Sequence, residues 1–161
     1  MTGTPATAAL VAAGVRFTEH SYAHDPSVAN FGLEAADALA ASIGIEPEQV
    51  FKTLLAEVDG RLVVGIVPVT SKLDLKSLAT AVGGKRAVMA DPALAERRTG
   101  YLVGGISPIG QKVSHPTVID ETAELWDTVF VSGGRRGLDL GLAPADLVRI
   151  TDATLADIAV G

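Results

Sequence analysis

The sequence predicts an α+β fold within a single domain spanning residues 1–161. A chain of 161 residues fits one domain of about 100–200 residues. Two apolar, β-branched runs, Val50–Val58 and Arg61–Val67, are joined by Asp59-Gly60, which is the pattern of a β-hairpin. Short helices separate the other strand-like segments, and hairpins mixed with short helices favour α+β over a doubly wound parallel sheet.

Upstream of this hairpin the sequence predicts two helices and one strand. The first helix covers Thr4–Ala13 and ends at Gly14, and Val15–Tyr22 has the alternation of a strand. The second helix covers Leu33–Ile43, whose apolar residues fall on one face. Gly44 suits its end, because glycine readily adopts the left-handed conformation found there.

Downstream of the hairpin, helices and strands continue to alternate. Asp91 and Pro92 mark the start of one helix, as N-cap and first-turn residues, and Gly100 marks its end. The other predicted helices lie at Asp74–Val82 and from Pro144 onward. The predicted strands are Arg86–Ala90, Thr117–Ile119, Thr128–Ser132 and Leu138–Leu142. After the last helix the sequence predicts a strand or coil at Ile150 and a frayed C-terminal segment.

The composition restricts the classes of function. The chain has no cysteine, which excludes disulfides, thiolate nucleophiles and thiolate metal ligands and agrees with a reducing cytoplasm. Its apolar fraction of 48% and charged fraction of 20% are those of a globular protein. No apolar run approaches the roughly 18 residues of a membrane helix. We therefore expect a cytoplasmic protein without a membrane partner.

Charge is unevenly distributed along the chain. The formal net charge of −6 argues against DNA binding or any other general binding of nucleic acid. Residues 1–51 carry one basic and six acidic side chains, whereas residues 60–119 carry eight basic and three acidic ones. Two interpretations stay open: a solvated mixture of charges, or a local positive face suited to one phosphodiester strand or a tRNA end.

The segment of residues 99–112, TGYLVGGISPIGQK, is the most informative part of the chain. Three glycines and a proline lie within the seven positions from Gly104 to Gly110, more than an ordinary turn requires. Glycine lets a backbone approach a ligand closely because it has no Cβ, and Pro108 stiffens the loop. Exposed N–H groups of Gly104, Gly105 and their neighbours would stabilise a carbonyl oxygen as an oxyanion.

Other catalytic arrangements have little support in the motifs. Ser107 lacks the G-x-S-x-G elbow of serine hydrolases, and Pro108 removes the N–H that such an elbow gives to its oxyanion hole. The alternative for Ser107 is a turn hydroxyl that bonds its own backbone. His20 and His24 would lie about 13 Å apart on a strand, and HExxH, GKS/GKT and GxGxxG patterns are missing. We predict neither a metal site nor a cofactor.

Two charged residues interrupt apolar strands. Lys52 lies within Phe51–Leu55, and Asp139 lies within Gly137–Gly141. Each is either an outward-facing strand residue, which is the commoner case, or a functional group in a pocket. In the second interpretation Lys52 meets a phosphate or a polarised carbonyl, and Asp139 pairs with a substrate ammonium group.

Five segments carry a family resemblance: VFKTLL (50–55), LDLK (73–76), MADP (89–92), TGYLVGGISPIGQK (99–112) and VSGGRRGLDL (131–140). Together they resemble the YbaK/EbsC family of aminoacyl-tRNA deacylases, which is related to the editing domain of bacterial prolyl-tRNA synthetase. They occur in the family's order, and the resemblance covers nearly the whole chain, from His24-Asp25-Pro26 to the C-terminal helix. The GGxSPxGQ loop is similar to the YbaK branch, which acts on cysteinyl-tRNA for proline, more than to the alanine-specific relatives.

The resemblance implies a small mixed, largely antiparallel, barrel-like β-sheet flanked by helices, and it also implies a set of site residues. The implied catalytic residues are Lys52, Gly105 and Ser107. The implied substrate-binding residues are Tyr22, Phe31, Gly104, Ile106, Pro108 and Asp139. Lys52 would support the terminal adenosine or its phosphate, and the loop amides would bind the ester carbonyl.

The resemblance further implies a deacylase for mischarged Cys-tRNA(Pro), with prolyl-tRNA synthetase as a candidate partner. In the family mechanism the substrate's own thiol attacks its own carbonyl carbon, so the protein holds the ester and stabilises the oxyanion without a nucleophile of its own. Three alternatives stay open. They are a deacylase for other small aminoacyl-tRNAs, a non-catalytic adaptor that binds tRNA or a synthetase, and an ester hydrolase that uses Ser107.

Overall fold

The computed structural model describes residues 3–27 and 30–161 and has the α+β architecture that the sequence predicts. The helices are α1 (Pro5–Ala12), α2 (Phe31–Ile43), α3 (Leu75–Ala81), α4 (Pro92–Thr99) and α5 (Pro144–Thr151). The strands are β1 (Thr18–Ser21), β2 (Phe51–Val58), β3 (Arg61–Pro68), β4 (Lys72–Leu73), β5 (Ala87–Met89), β6 (Thr117–Asp120), β7 (Val129–Ser132), β8 (Leu138–Leu142), β9 (Thr154–Ala156) and β10 (Ala159–Val160). Two 3₁₀ turns lie at Pro47–Gln49 and Glu121–Leu125.

The strands form a mixed, largely antiparallel arrangement, as expected. A five-stranded sheet has the order β5-β2-β3-β6-β9, a three-stranded sheet the order β1-β8-β7, and β10 pairs with β4. The pairs β3–β6 and β6–β9 are parallel, and the other pairs are antiparallel. An isolated bridge between Val50 and Phe130 joins the two larger sheets, which closes one side of the barrel-like structure.

The turn and cap residues act as their chemistry predicts. Asp59 and Gly60 have φ angles of 50° and 86°, the left-handed pair that a two-residue hairpin turn requires. The Asp91 side chain accepts a hydrogen bond from the Leu94 N–H at the start of α4, and left-handed Gly100 ends that helix. The predicted hairpin and the predicted bounds of α4 are therefore confirmed.

The main core lies between the five-stranded and three-stranded sheets. Ile66 and Ile119 from the larger sheet and Leu140 from the smaller one are fully buried there. Alternate residues of β8, Leu138 and Leu142, face the same core. Burial of such side chains stabilises the fold by about 1.5–3 kcal/mol each, and it fixes Asp139 on the opposite face of β8 because side chains alternate along a strand.

The C-terminal segment differs from the sequence prediction. Ile150 belongs to α5, which continues to Thr151, and the segment predicted to fray forms β9 and β10. The buried carboxylate of Asp120 accepts hydrogen bonds from the N–H groups of Ile158 and Ala159, each at 3.0 Å. This long-range contact orders the segment, and local sequence patterns carry no sign of it.

Candidate functional site

A cavity of about 500 Å³ opens between β2, the start of α2 and the glycine-rich loop. Six of the nine predicted site residues line it. They are Tyr22, Phe31, Lys52, Gly104, Ile106 and Asp139. Gly105, Ser107 and Pro108 are buried and lie behind the cavity wall rather than among its lining residues.

Gly104 occupies a position in the cavity mouth where only glycine fits. Its φ is +90°, and a Cβ there would lie 2.6 Å from Arg136 Nε and 2.9 Å from the Phe31 ring. Both the backbone conformation and the crowding therefore disfavour a side chain at this position. Close approach of the loop backbone to a ligand stays a prediction.

Gly105 anchors the loop to the rest of the molecule. A Cβ on it would lie 2.8 Å from the Cα of Arg135, in the turn between β7 and β8. Its N–H donates to the carbonyl of Leu102 at 2.9 Å. In contrast, no hydrogen bond within residues 3–27 and 30–161 uses the N–H of Gly104 or Ile106. Both residues line the cavity, so their N–H groups are candidate donors to a ligand there.

Ser107 acts as a turn residue in the structure. It is fully buried, and its Oγ accepts a hydrogen bond from the Ile109 N–H at 3.2 Å. Its carbonyl accepts from Gln111 Nε2 at 3.0 Å. A hydroxyl held in this way, with Pro108 buried beside it, supports the local backbone.

Asp139 is a buried carboxyl group in the cavity wall. It is 4% exposed and lies on β8 between His20 of β1 and Ser132 of β7. Burial raises its pKa from 3.8 to about 7, because a low-dielectric environment disfavours the ionised form. Near neutral pH this carboxyl therefore gains or loses a proton readily, and it would gain a strong stabilising contact from a ligand cation.

Lys52 supplies a cation on the same wall. The half-buried side chain projects from β2 into the cavity lining. Burial, followed by the charge of Lys72, lowers its pKa, since both effects disfavour the ammonium form. An anionic group of a ligand would offset both effects, because it favours the ammonium form of Lys52.

Two aromatic residues, Tyr22 and Phe31, line the cavity. Tyr22 lies near Asp139, and burial together with the Asp139 charge raises the pKa of its phenol. Phe31 opens α2, where the Asn30 side chain accepts a hydrogen bond from the Leu33 N–H. These rings give the mouth of the cavity flat apolar surfaces of the kind that stack with nucleobases.

Arg136 contacts two cavity-lining residues without lining the cavity itself, and the residue-by-residue sequence analysis missed it. Its guanidinium carbon lies 4.6 Å above the centre of the Phe31 ring, and its Nε and Nη2 donate to the Val103 carbonyl at 3.0 and 2.6 Å. It thereby joins α2, the glycine-rich loop and the β7–β8 turn. The signal was present in the GGRRG string of residues 133–137, next to the segment that contains Asp139.

Across residues 3–27 and 30–161, no group of three or more His, Asp or Glu side chains is arranged to hold a metal ion. Among the helices of the same ranges, none has the length and apolar character needed to cross a bilayer.

The fold is that of an aminoacyl-tRNA editing domain, and the family model described as the aminoacyl-tRNA editing domain matches residues 32–150. The chain belongs to this family, which confirms the resemblance drawn from the five sequence segments. A solved structure described as a candidate trans-editing enzyme for prolyl tRNA synthetase superposes with a TM-score of 0.80 at 26% identity, covering 98% of this chain and 96% of that one.

Two curated relatives extend the comparison. EbsC of Enterococcus faecalis, named as a candidate Cys-tRNA(Pro)/Cys-tRNA(Cys) deacylase, is 40% identical over 126 residues, which cover 77% of this chain and 76% of EbsC. ProXp-y of Escherichia coli K12, named a multifunctional Ser/Thr-tRNA deacylase, is 30% identical over 111 residues, or 66% of each chain. Both names describe enzymes that remove an amino acid from tRNA.

Proposed function

We propose that this protein is a trans-acting aminoacyl-tRNA deacylase that cleaves the ester of mischarged Cys-tRNA(Pro). The observation that carries the proposal is one cavity lined by Lys52, Asp139, Gly104 and Ile106. A cation, a carboxyl and two amide donors complement the phosphate, ammonium and ester carbonyl of an aminoacyl-adenosine end. The 40% identity to EbsC supports cysteinyl-tRNA as the substrate.

The proposed reaction is assisted by the substrate. The cysteine sulfur attacks the ester carbonyl carbon, a sulfur–carbon bond forms, and the carbon–oxygen bond to the ribose breaks. The thiol proton ends on the departing ribose oxygen, so the products are a cyclic thioester and tRNA with a free hydroxyl. The protein contributes by holding the thiol near the carbonyl and by stabilising the transient oxyanion.

Each lining residue has a proposed role in that step. The N–H groups of Gly104 and Ile106 donate to the carbonyl oxygen as it becomes negative, a contribution worth about 10²–10³ in rate per donor. Lys52 binds the terminal adenosine or its phosphate, and ionised Asp139 binds the α-ammonium. Gly105, Ser107 and Pro108 hold the loop in the required shape from behind the wall.

A deacylase for other small aminoacyl-tRNAs is the second candidate. The relative ProXp-y, named for Ser/Thr-tRNA, shares 30% identity. A seryl or alanyl group differs little in size from a cysteinyl group, and a pocket separates such groups by only about 10–200-fold through contact alone. The thiol requirement of the proposed reaction, in contrast, would favour cysteine strongly.

We further propose that prolyl-tRNA synthetase presents the charged tRNA to this protein in the cytoplasm. The net charge of −6 limits attraction to free tRNA, so a partner that already holds the tRNA would supply specificity. The similarity to a structure described as a trans-editing enzyme for prolyl tRNA synthetase supports this pairing.

A deacylation panel tests the proposal. Purified protein is incubated with Cys-tRNA(Pro), Ser-tRNA(Pro), Ala-tRNA(Pro) and Pro-tRNA(Pro), and the remaining ester is measured over time. We expect fast loss of the cysteinyl ester and slow loss of the prolyl ester. Intact esters throughout, together with measurable tRNA binding, would identify a non-catalytic adaptor instead.

A further inference from the structure

The strand that carries Lys52 has an open edge inside the cavity. Five consecutive residues of β2, Phe51–Leu55, line the cavity. Because successive side chains of a strand point to opposite faces, a cavity contacts five in a row only by running along the edge of the strand. The pairing agrees, since β5 covers the outer edge of β2 only at Ala56–Val58.

The backbone groups of Thr53 point toward this open edge. In an antiparallel sheet the N–H and C=O of one residue point to the same side, and the side alternates along the strand. The Leu55 carbonyl accepts from the Ala90 N–H at 3.0 Å on the β5 side, so Thr53, two residues earlier, faces that side too. Leu54 faces β3, where it lies opposite Gly65.

The opening has the size of a short ligand segment. It runs from Phe51, beside the Val50–Phe130 bridge, to Leu55, which Ala90 covers. The four steps from Phe51 to Leu55, at about 3.3 Å each, give the opening a length of about 13 Å. In the described part of the chain no strand pairs with β2 at Thr53 on this side. The Thr53 side-chain oxygen, on a face of the sheet, is also buried without a hydrogen-bond partner.

We propose that the aminoacyl group of the substrate pairs with this edge as one residue of an antiparallel β-strand. Its α-ammonium, which has three N–H groups, donates one to the Thr53 carbonyl and keeps another for Asp139. Its ester carbonyl accepts from the Thr53 N–H with one lone pair and keeps the other for the loop amides. These are the two bonds that a hydrogen-bonded residue pair exchanges in a ladder, and an open strand edge recognises peptides in the same way. The proposal rests on the deacylase function proposed above and specifies how its substrate is held.

This pairing gives a selectivity that does not depend on size. It uses only the ammonium and carbonyl groups, so it accepts several small amino acids alike. A prolyl ester carries a ring carbon on its nitrogen in place of one N–H, so its ammonium keeps two donors instead of three and the ring restricts their directions. We therefore expect the edge to hold correctly charged Pro-tRNA(Pro) less well than the other esters.

Backbone substitution tests the proposal directly. Incorporating the α-hydroxy acid analogue of threonine at position 53 replaces that N–H with an oxygen and keeps the side chain. We expect kcat/KM for Cys-tRNA(Pro) to fall about 100-fold, with little change in Tm, because this N–H has no strand partner in the free protein. The matched change at Leu54 should lower Tm, because it removes a ladder hydrogen bond to β3.

A binding measurement separates this proposal from the deacylase function itself. The probe is a non-hydrolysable amide analogue of cysteinyl-adenosine, titrated by calorimetry. We expect the position-53 analogue to bind it at least about tenfold more weakly than the natural protein. Unchanged binding and turnover, or a Tm loss at position 53 equal to that at Leu54, would overturn the strand pairing. A natural protein that binds the probe but cleaves none of the charged tRNAs would instead overturn the proposed function.

Discussion

Replacement of Asp139 by asparagine should stabilise the fold at neutral and alkaline pH. Burial holds the pKa of this carboxyl at about 7 instead of 3.8, so between these two pH values the folded state keeps the proton while the unfolded state releases it. Stability therefore falls as pH rises from about 4 to about 7 and then levels off. Since one pKa unit corresponds to about 1.4 kcal/mol, ionisation of Asp139 costs about 4 kcal/mol at alkaline pH.

Asp139→Asn removes this titration and nearly preserves the shape of the side chain. Urea unfolding of both proteins from about pH 4 to about pH 8 gives the difference in unfolding free energy, in which the other titrating groups cancel. We expect a difference near zero at about pH 4 that grows to about 4 kcal/mol in favour of Asp139→Asn above pH 7. A difference that stays constant across this range would refute the assignment of Asp139 as a buried, raised-pKa group.

Asp120→Asn is the matched control for this experiment. Asp120 is also buried, at 1% exposure, but its Oδ1 accepts hydrogen bonds from the Ile158 and Ala159 N–H groups. An asparagine there would either turn its NH2 group toward the Ile158 and Ala159 N–H donors, or keep its oxygen on them and lose the charge that strengthens these hydrogen bonds. We therefore expect this variant to be less stable than the natural protein by about 1–3 kcal/mol.

Three other predictions concern the site. Lys52→Met should have the same Tm as the natural protein, because burial already disfavours the ammonium form of Lys52. It should slow deacylation by about 100-fold, and an unaltered rate would show that Lys52 does not act in the site. Ser107→Ala should cost about 1 kcal/mol by urea unfolding, through the lost bond to Ile109, and leave single-turnover rates within about tenfold; a loss of several orders of magnitude would identify a serine nucleophile. Gly104→Ala should be destabilised by about 1–3 kcal/mol and should deacylate more slowly. The control is Gly14→Ala, which should be less affected, because Gly14 is also left-handed but has open space around its Cβ position. Equal effects of the two substitutions would show that the crowding at Gly104 is unimportant.

Much of the fold could be predicted from interactions between residues that are close in sequence. The Asp59-Gly60 turn, the Asp91 cap and the glycine that ends α2 depend on a few neighbouring residues, so the sequence displays them directly. The short strands β4, β9 and β10 depend on partners far away in the chain, such as the Asp120 carboxylate that binds Ile158. No local pattern marks such contacts, which is why the C-terminal segment was predicted to fray.

The site was predictable in its residue types but not in its geometry. Lys52 and Asp139 attract attention as charges within apolar strands, and both line the cavity. Which loop amides remain free depends on the Leu102 carbonyl that binds the Gly105 N–H. The open edge at Thr53 depends on where β5 stops pairing with β2. Such features follow from the positions of other elements, and a single sequence does not specify them.

The parallel pairing of β3 with β6 has a consequence for how the molecule folds. It joins Val64–Ile66 to Thr117–Ile119, so about fifty residues must be looped out before this contact forms. The glycine-rich loop lies within this intervening segment, so it makes its native contacts only after β6 has paired with β3. Non-local pairings of this kind slow folding, so the β2–β3 hairpin should form early and the cavity wall late. In refolding experiments, recovery of the binding site should lag behind recovery of β-structure.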